Sequence, residues 1–268
     1  MSRIPVLMYH HIADDREVTP GQFEDHLKYL KDTGYRTPDL REFYDIVTGA
    51  KKTNDKLIVL TFDDGYADNW ICAWPILKKH GLRAIVFPTT SRLRETREGP
   101  NPTLTDGALS PRTIQTERLP EGFLSWEELK AMTDSGVFEA GSHTHTHRNF
   151  VKRSVYGDLE QELDTSSRLI AEHTGVKPFS IAWPWGQHEK SWESLVKKNG
   201  YKMAFTTVTG VNKPGCDPLY IKRLRVSKGA ITWLKSRLIL HRLPVVSEIY
   251  EKIYGLDGRI KKKFRKAP

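Results

Sequence analysis

The sequence predicts a single α/β domain of barrel-like form, on three observations. Short, branched apolar runs alternate with longer amphipathic stretches along the 268 residues, as in strands of a mainly parallel sheet joined by helices. A hydrophobic content of 38% with 10% aromatic residues is sufficient for a well-packed core. About six or seven β/α units follow one another without an interior linker, which favours one barrel over two small domains.

The predicted elements follow in a regular order. In the N-terminal half the strand-like runs are IPVLMYH, KLIVLTFDDG and RAIVFPT, separated by the helix-like runs TPGQFEDHLKYLKDTGY and NWICAWPILKKHG. Both helix-like runs close on a glycine, Gly34 and Gly81, the residue that best adopts a left-handed helix cap. The C-terminal half repeats the alternation through SWEELKAMTDSG, FEAGSH, SVYGDLEQELDTSSRLIAEHTG, FSIAWPWG, SWESLVKKNGY and KMAFTTV.

Two segments depart from this alternation. Residues 91–123 have no periodicity and are rich in Pro, Gly, Thr and Arg, which is typical of a functional loop, so we expect a lid or a substrate loop there. From about residue 246 the sequence becomes a charged tail ending in RIKKKFRKAP. We therefore predict one catalytic domain over 1–245, with 91–123 as an insertion, and a basic tail over 246–268.

The net charge of +9 is concentrated near the C-terminus. Residues 222–268 carry fourteen Lys or Arg and three acids, so the preceding residues sum to about −2. Within this region, AITWLKSRLILHRL interleaves apolar and basic side chains, which predicts a helix that contacts an anionic membrane surface. A nucleic-acid role is disfavoured because no known binding motif accompanies the charge.

The N-terminus and the cysteines bear on the cellular compartment. The start MSRIPVLMYHHIADD has only five consecutive apolar residues, too few for a secretory signal, and no run is long enough to cross a bilayer. The two cysteines, Cys72 and Cys216, match no paired spacing of a zinc ribbon or disulfide scaffold. We therefore expect a cytoplasmic location, with contact at the inner membrane.

Candidate catalytic groups lie where predicted strands end, because reactive groups of α/β folds gather at the carboxyl ends of strands. TFDDG presents Asp63 and Asp64, whose side chains project to different sides, so one could bind a metal while the other meets a substrate or water. Gly65 permits a tight turn beyond them. The motif alone decides little, because Asp-Asp-Gly after a strand is most often a turn or a helix cap.

The histidines of GSHTHTHRNF allow more than one ligand scheme. On a strand, His143, His145 and His147 would share a face, whereas on a helical turn only His143 and His147 would meet. Two imidazoles and a carboxylate leave an open position on Zn²⁺ or a similar ion, where a carbonyl can be polarised and a water activated.

Three motifs together carry a family resemblance. TFDDG, SHTHTH and WPWG, in this order and spacing, resemble motifs of the polysaccharide deacetylases, the NodB-homology domains of carbohydrate esterase family 4. The opening PVLMYHHI and the run LSWEELKAMTDSGVFEAGSHTHTH resemble the branch that includes poly-N-acetylglucosamine deacetylases. The resemblance extends from about residue 4 to 226 and implies a distorted (β/α)7 barrel that removes an N-acetyl group from a sugar.

The resemblance also implies roles for individual residues. Asp64, His143 and His147 match the metal ligands, which makes His145 either a bystander or a neighbour that supports a ligand. Asp63 matches the general base that activates the attacking water. The backbone amide of Tyr66 matches a group that stabilises the oxyanion. The implied cofactor is one divalent metal, most readily Zn²⁺, with Co²⁺ or Ni²⁺ as alternatives.

A general acid must protonate the leaving amine, and two histidines are candidates. The resemblance of the MYHHI opening favours His10, whereas His241, in RLILHRL, superficially resembles a Leu-x-His motif of other branches. We prefer His10 because the segment around His241 is predicted to be helical, whereas the family motif ends a strand.

The sequence departs from the family pattern at one position of the predicted site, and several aromatic residues are candidates for the substrate groove. Where many members have an arginine that orients the base, this chain has Ala182, and either Arg223 or Arg225 could substitute. Flat aromatic faces stack on sugar rings, so Trp183 and Trp185 are candidates for the substrate groove. Tyr66 and Asn149, which adjoin ligand positions, are further groove candidates.

These expectations together describe a metal-dependent sugar N-deacetylase. The net charge and the expected location suggest a lipid-linked or lipopolysaccharide-type saccharide as its substrate. Two alternatives stay open: a metal-dependent amide or ester hydrolase on a non-sugar substrate, and a glycan-binding module without turnover.

Overall fold

The computed structural model describes residues 3–96, 122–150 and 156–242. The strands are β1 (Ile4–Tyr9), β2 (Tyr35–Arg36), β3 (Lys56–Leu57), β4 (Val59–Asp64), β5 (Ala84–Pro88), β6 (Phe138–Ala140), β7 (Ser180–Ala182), β8 (Met203–Thr209), β9 (Val211–Asn212) and β10 (Ile221–Arg225). The helices are α1 (Pro20–Asp32), α2 (Leu40–Val47), α3 (Trp74–His80), α4 (Trp126–Asp134), α5 (Tyr156–Thr174), α6 (Glu193–Lys198) and α7 (Ile231–Arg242). A π-helical turn, Asn69–Ala73, leads into α3.

Parallel strands form the barrel in the order β6-β5-β4-β1-β10-β8-β7, and β9 pairs with β1 in antiparallel orientation. The two ends of this path, β6 and β7, meet through a single parallel bridge between Ser142 and Ile181. The Ser142 amide donates to the Ser180 carbonyl at 2.9 Å, and the Ser142 carbonyl accepts from the Ala182 amide at 2.9 Å. This narrow closure makes the barrel distorted and confirms the predicted single-domain (β/α)7 architecture.

Local sequence signals set the helix ends. Thr19 caps α1 and Ser125 caps α4, each in a reciprocal capping box with the Gln22 or Glu128 side chain. Gly81 ends α3 in the left-handed conformation, with φ of 62°. Helix α2 was not among the predicted elements, although Asp39 caps it and its apolar residues are buried.

The alternation along β4 separates two packing layers. Val59 belongs to an apolar cluster with residues of β1, β5, β8 and α2, whereas Leu60 and Phe62 pack in a second cluster with α1, α3 and α4. Because successive strand residues face opposite sides, Thr61 and Asp63 continue the face of Val59. Asp63 is therefore directed to the side of the sheet that also receives Arg223.

Helix α7 tests the predicted membrane-contact segment. Leu234 and Leu238 are buried in the cluster that includes α1, and Lys235 lies over the Tyr29 ring at 5.0 Å. Two of its leucines are therefore covered by protein, whereas Ile239 is 57% exposed, and membrane contact through this helix is not supported. The tail beyond residue 242 lies outside the described residues, as do residues 97–121 of the predicted loop.

No helix in the described ranges has the length and apolar character needed to span a membrane. Cys72 and Cys216 are both free thiols, which agrees with the absence of a disulfide spacing in the sequence.

The buried His26 of α1 predicts a pH-dependent stability. Its Nδ1 lies 3.1 Å from the Tyr9 hydroxyl, and burial lowers the pKa of His26 to about 4 against opposing backbone hydrogen bonds. The unfolded chain binds a proton near pH 6.5 and the folded chain near pH 4, so stability present above pH 6.5 is lost as the pH falls toward 4. The loss attributable to this group is about 3 kcal/mol.

His26→Gln, which is neutral throughout this range, provides the test. Urea unfolding of both proteins between pH 7 and pH 4 should give a smaller loss of unfolding free energy for the variant. Parallel pH dependences in the two proteins would contradict the assignment to His26.

Candidate active site

Five strand ends bring the predicted site residues together. Asp63 and Asp64 end β4, and His10 directly follows β1. The histidine loop, residues 141–150, follows β6. The tryptophan motif follows β7, and β10 carries the two candidate arginines. Because β1 lies between β4 and β10, residues far apart in sequence converge at one end of the barrel. The expected gathering of the three motifs at the carboxyl ends of strands is what the fold shows.

Asp64, His143 and His147 form a candidate metal site. Their ligand atoms all lie within 4.8 Å of one another, and Asp64 Oδ1 is 3.6 Å from His143 Nε2 and 3.3 Å from His147 Nε2. Asp64 Oδ1 is buried without a hydrogen-bond partner, a costly arrangement for a carboxylate oxygen that a cation would relieve. The donor set, two imidazoles and one carboxylate, fits Zn²⁺ or a similar ion.

Neighbouring groups keep the His143 and His147 rings in the protonation state that can bind a metal. His143 Nδ1 lies 2.7 Å from the Ala182 carbonyl, so Nδ1 carries the proton and Nε2 keeps its lone pair toward Asp64. Burial, together with the neighbouring His143, lowers the pKa of His147 below its ordinary value and keeps that ring neutral near pH 7. A neutral imidazole is the form that binds a metal.

Unusual backbone conformations mark the same region. The non-glycine residues with positive φ in the described ranges are Asp64 (72°), Thr144 (64°), His147 (57°) and Trp185 (61°). Such conformations are uncommon outside glycine and cluster at functional sites. Gly65, which follows Asp64, also has a positive φ, 78°. A Cβ at this position would lie 2.9 Å from Pro88 Cα, which confirms the predicted role of Gly65 in the turn.

The histidine loop is held in place from two sides. Glu162 of α5 accepts hydrogen bonds from the Thr146 amide, at 2.7 Å, and from the Thr146 hydroxyl. On the other side, His145 Nδ1 lies 2.9 Å from the Thr90 hydroxyl, and the His145 carbonyl accepts from the Ser91 amide at 2.9 Å. His145 is thus engaged with the segment after β5 and is not a member of the metal cluster.

Arg223, and not Arg225, binds the carboxylate of Asp63. Its Nη1 and Nη2 atoms donate to the two Asp63 oxygens at 2.7 and 2.8 Å, and both side chains are buried. Burial alone would raise the pKa of Asp63, but Arg223, with His143 and His10, outweighs it and lowers the pKa to about 2. Asp63 is therefore ionised and rigidly oriented near neutral pH, as a general base requires.

The two candidate acids occupy different parts of the molecule. Tyr9 of β1 pairs with Phe62 of β4, so His10 follows β1 beside the end of β4 that carries the two carboxylates. Burial lowers the pKa of His10, while the charges of Asp63 and Asp64 oppose that shift. His241 is buried in α7, a helix that packs against α1, and the prediction of helix around it is confirmed. The fold therefore brings His10, rather than His241, to the carboxylate pair.

The aromatic candidates separate into exposed and buried groups. Trp185 is 66% exposed and its ring meets that of His147 at 5.2 Å, whereas Trp183 is 1% exposed and packs against Trp192. The prediction that Trp183 lines the groove is therefore wrong, because its side chain belongs to an apolar cluster. Asn149 is half-buried two residues beyond His147.

Tyr66 lies beside the cluster in an aromatic stack. Its ring stacks on His11 at 3.6 Å and on Phe123 at 5.1 Å between centroids. Burial, followed by the charge and hydrogen bond of Asp64, raises the pKa of Tyr66 to about 12. The Tyr66 side chain thus contacts a proposed metal ligand, a role that the sequence interpretation, concerned with its backbone amide, did not include.

Sequence reasoning also missed the group formed by His11, Asp68 and Asn69. His11 Nδ1 lies 2.6 Å from Asp68 Oδ2, and Asn69 Nδ2 donates to the His10 carbonyl at 2.9 Å. The only available signal was the occurrence of two polar residues in YADNWICAW, directly after the aspartate motif. Nothing in that pattern indicates contact with residues nearly sixty positions earlier.

Comparison with known proteins gives consistent relatives. The chain is 29% identical over 230 residues to "Putative polysaccharide deacetylase YxkH" of Bacillus subtilis (strain 168), covering 85% of this chain and 73% of that protein. It is 25% identical over 232 residues to a poly-beta-1,6-N-acetyl-D-glucosamine N-deacetylase of Staphylococcus aureus (strain MRSA252), covering 82% and 71%.

The fold has solved counterparts. The structure of IcaB from Ammonifex degensii superimposes with a TM-score of 0.74 at 23% identity, covering 89% of this chain and 97% of that one, and supports the barrel architecture. The family model described as polysaccharide deacetylase matches residues 50–204, more than half of the chain and a range that contains the aspartate, histidine and tryptophan motifs. The expected class of enzyme, a carbohydrate N-deacetylase, is confirmed at this level, and the chain belongs to the polysaccharide deacetylase family.

Proposed function

We propose that this chain is a metal-dependent hydrolase that removes N-acetyl groups from an N-acetylated saccharide. The observation that carries the proposal is the buried Asp64–His143–His147 cluster beside an ionised Asp63 fixed by Arg223. Relatives named as poly-beta-1,6-N-acetyl-D-glucosamine deacetylases support a polymer or oligomer of N-acetylglucosamine as the first substrate to test.

Asp63, His10 and Tyr66 supply the protein's part of the chemistry. Asp63 accepts a proton from water as the water oxygen bonds to the acetyl carbon, and His10 gives a proton to the nitrogen as the carbon–nitrogen bond breaks. The products are acetate and a free amine. A divalent ion held by Asp64, His143 and His147 would polarise the acetyl carbonyl and lower the pKa of water. The Tyr66 amide is proposed to stabilise the oxyanion.

The surface around the cluster supports a sugar substrate. Trp185 offers an exposed aromatic face next to His147, suited to stacking on the apolar face of a sugar ring. Asn149 is proposed as a further polar contact in the same groove.

Acetate release from N-acetylglucosamine oligosaccharides tests the proposed function. We expect purified protein to release acetate, a chelator to abolish the release, and Zn²⁺ or Co²⁺ to restore it. Turnover of acetylated aryl esters but of no acetylated glycan would favour a non-sugar hydrolase. Binding of glycans by metal-loaded protein without acetate release would favour a binding module.

Comparison of two histidine variants tests the acid assignment. His10→Ala should lower kcat for N-acetyl hydrolysis by about 10²- to 10⁴-fold with metal content unchanged, because His10, unlike His241, follows the strand that pairs with β4. His241→Ala should keep kcat, although removing a buried side chain from α7 lowers its thermal stability. An active His10→Ala variant beside an inactive, folded His241→Ala variant would reverse the assignment.

The finer expectations about substrate and location stay predictions. The expectation of a lipid-linked saccharide rests on the charge of residues 222–268, of which 243–268 lie outside the described residues, and the cytoplasmic location is an expectation from the sequence that no described residue tests. The native metal is proposed as Zn²⁺ from the donor set, with Co²⁺ and Ni²⁺ as alternatives.

A further inference from the structure

Two buried polar residues, Asp68 and Asn69, lie beside the segment that carries His10 and take no part in the steps above. Asp68 is 8% exposed and Asn69 is fully buried, where the π-helical turn begins. The rest of that turn, Trp70 to Ala73, is apolar and buried. A carboxylate and an amide are costly in such surroundings unless they are hydrogen-bonded, so their partners indicate what they stabilise.

Their partners outside the turn lie on residues 10–12. Asp68 Oδ1 accepts from the Ile12 amide at 3.3 Å, and Asp68 Oδ2 accepts from His11 Nδ1 at 2.6 Å. Asn69 Nδ2 donates to the His10 carbonyl at 2.9 Å and to Asp68 Oδ1 at 2.7 Å. The pair thus holds three consecutive residues directly after β1, and we call Asp68 and Asn69 the 68–69 clamp.

The clamp holds both histidines that follow β1. Residues 10–12 have no regular secondary structure, so the clamp, rather than a strand ladder, fixes the backbone from which the His10 ring projects. The same contacts hold the His11 ring, which stacks on the Tyr66 ring with 3.6 Å between the centroids.

We infer that Asp68 and Asn69 are positioning residues for the proton transfer to the leaving amine, acting through the backbone of His10 and the ring of His11. This inference rests on the proposed function, in which His10 is the acid. A displacement of a catalytic group by about 1 Å can lower the rate by about 10²-fold, so loss of these bonds should be visible in kcat.

Two substrates with different leaving groups distinguish a role in positioning His10 from a general role in stabilising the fold. An acetylated sugar amine needs a proton on its nitrogen, whereas an activated aryl acetate releases a phenolate without one. Both substrates require the metal site and Asp63. A defect in positioning His10 should therefore impair the amide reaction and spare the ester reaction.

The experiment compares Asn69→Ala and Asp68→Asn with Asn212→Ala in the full chain. Asn212 is a matched control, because it is buried and bonds the Ile4 carbonyl and both backbone groups of Lys222 at the opposite end of β1. We expect the clamp variants to lose about 10- to 100-fold in kcat for N-acetyl hydrolysis, with KM and aryl acetate turnover within about threefold of wild type. Asn212→Ala should lower Tm and leave both reactions intact.

The results distinguish failure of the clamp from failure of the proposed function. A wild-type protein that hydrolyses neither substrate overturns the function and the clamp's role with it. An active wild type whose clamp variants lose both reactions in equal proportion, or lose no more than Asn212→Ala, overturns the clamp alone. Asp68→Asn is isosteric and keeps the acceptor for Ile12, so it carries the test where Asn69→Ala does not fold.

Discussion

His143→Ala should lose its bound metal and reduce acetate release by at least about 10³-fold, because the ion contributes several kcal/mol to the reaction. Asp64 Oδ1 already has no hydrogen-bond partner, and the alanine removes the His143 imidazole that lies 3.6 Å from it. His147→Ala should behave alike. Metal content per chain, measured by mass spectrometry, and kcat on an N-acetylglucosamine oligosaccharide give the two readouts.

His145→Ala is the matched control for this prediction. It removes a histidine from the same loop, but that ring bonds Thr90 and does not reach the cluster. We expect one metal ion per chain and retention of at least part of the activity. Loss of metal from His145→Ala, or retention of metal by His143→Ala, would contradict the proposed ligand set.

Arg223→Met should lower the free energy of unfolding by about 3–5 kcal/mol, because it leaves the buried Asp63 carboxylate without its counter-charge. For a chain of this size the corresponding decrease in Tm is roughly 10 °C. Activity should fall as well, since Asp63 loses the two bonds that orient it. Thermal and urea unfolding, together with kcat, provide the measurement.

Two further variants make this prediction specific. Adding Asp63→Asn to Arg223→Met removes the unpaired charge and should recover much of the lost stability without recovering activity. Arg225→Met deletes an equal charge from an exposed neighbour and should change stability by no more than about 0.5 kcal/mol. A double variant as unstable as Arg223→Met would show that the buried charge is not the cause.

Local patterns were sufficient for most of the fold. Alternation of branched and amphipathic runs predicted β1, β4, β5, α1 and α3, and Gly81 marked the end of α3. Helix α2 was not predicted, although Leu40, Phe43, Ile46 and Val47 have helical spacing and are buried, and Asp39 caps it. The pattern also gave no sign of the π-helical turn before α3, whose first residue, Asn69, bonds the His10 carbonyl.

The tryptophans show why side-chain exposure resisted sequence reasoning. Trp183 and Trp185 share a motif and a chemical character, yet one is buried and the other 66% exposed. Trp183 directly follows β7 and packs inward, whereas Trp185 adopts a φ of 61° that turns its ring outward beside His147. A two-residue spacing on a regular strand would have placed both rings on one face.

The sequence by itself determined the family, the order of the β/α units and the aspartate and histidine motifs, because these depend on short-range pattern. Only the tertiary structure decided that Arg223 rather than Arg225 holds Asp63, that His145 bonds Thr90, and that Asn69 bonds the His10 carbonyl. Each of these contacts joins residues more than fifty positions apart. They exist because parallel strands place their carboxyl ends side by side, a neighbourhood set by barrel closure and not by any local periodicity.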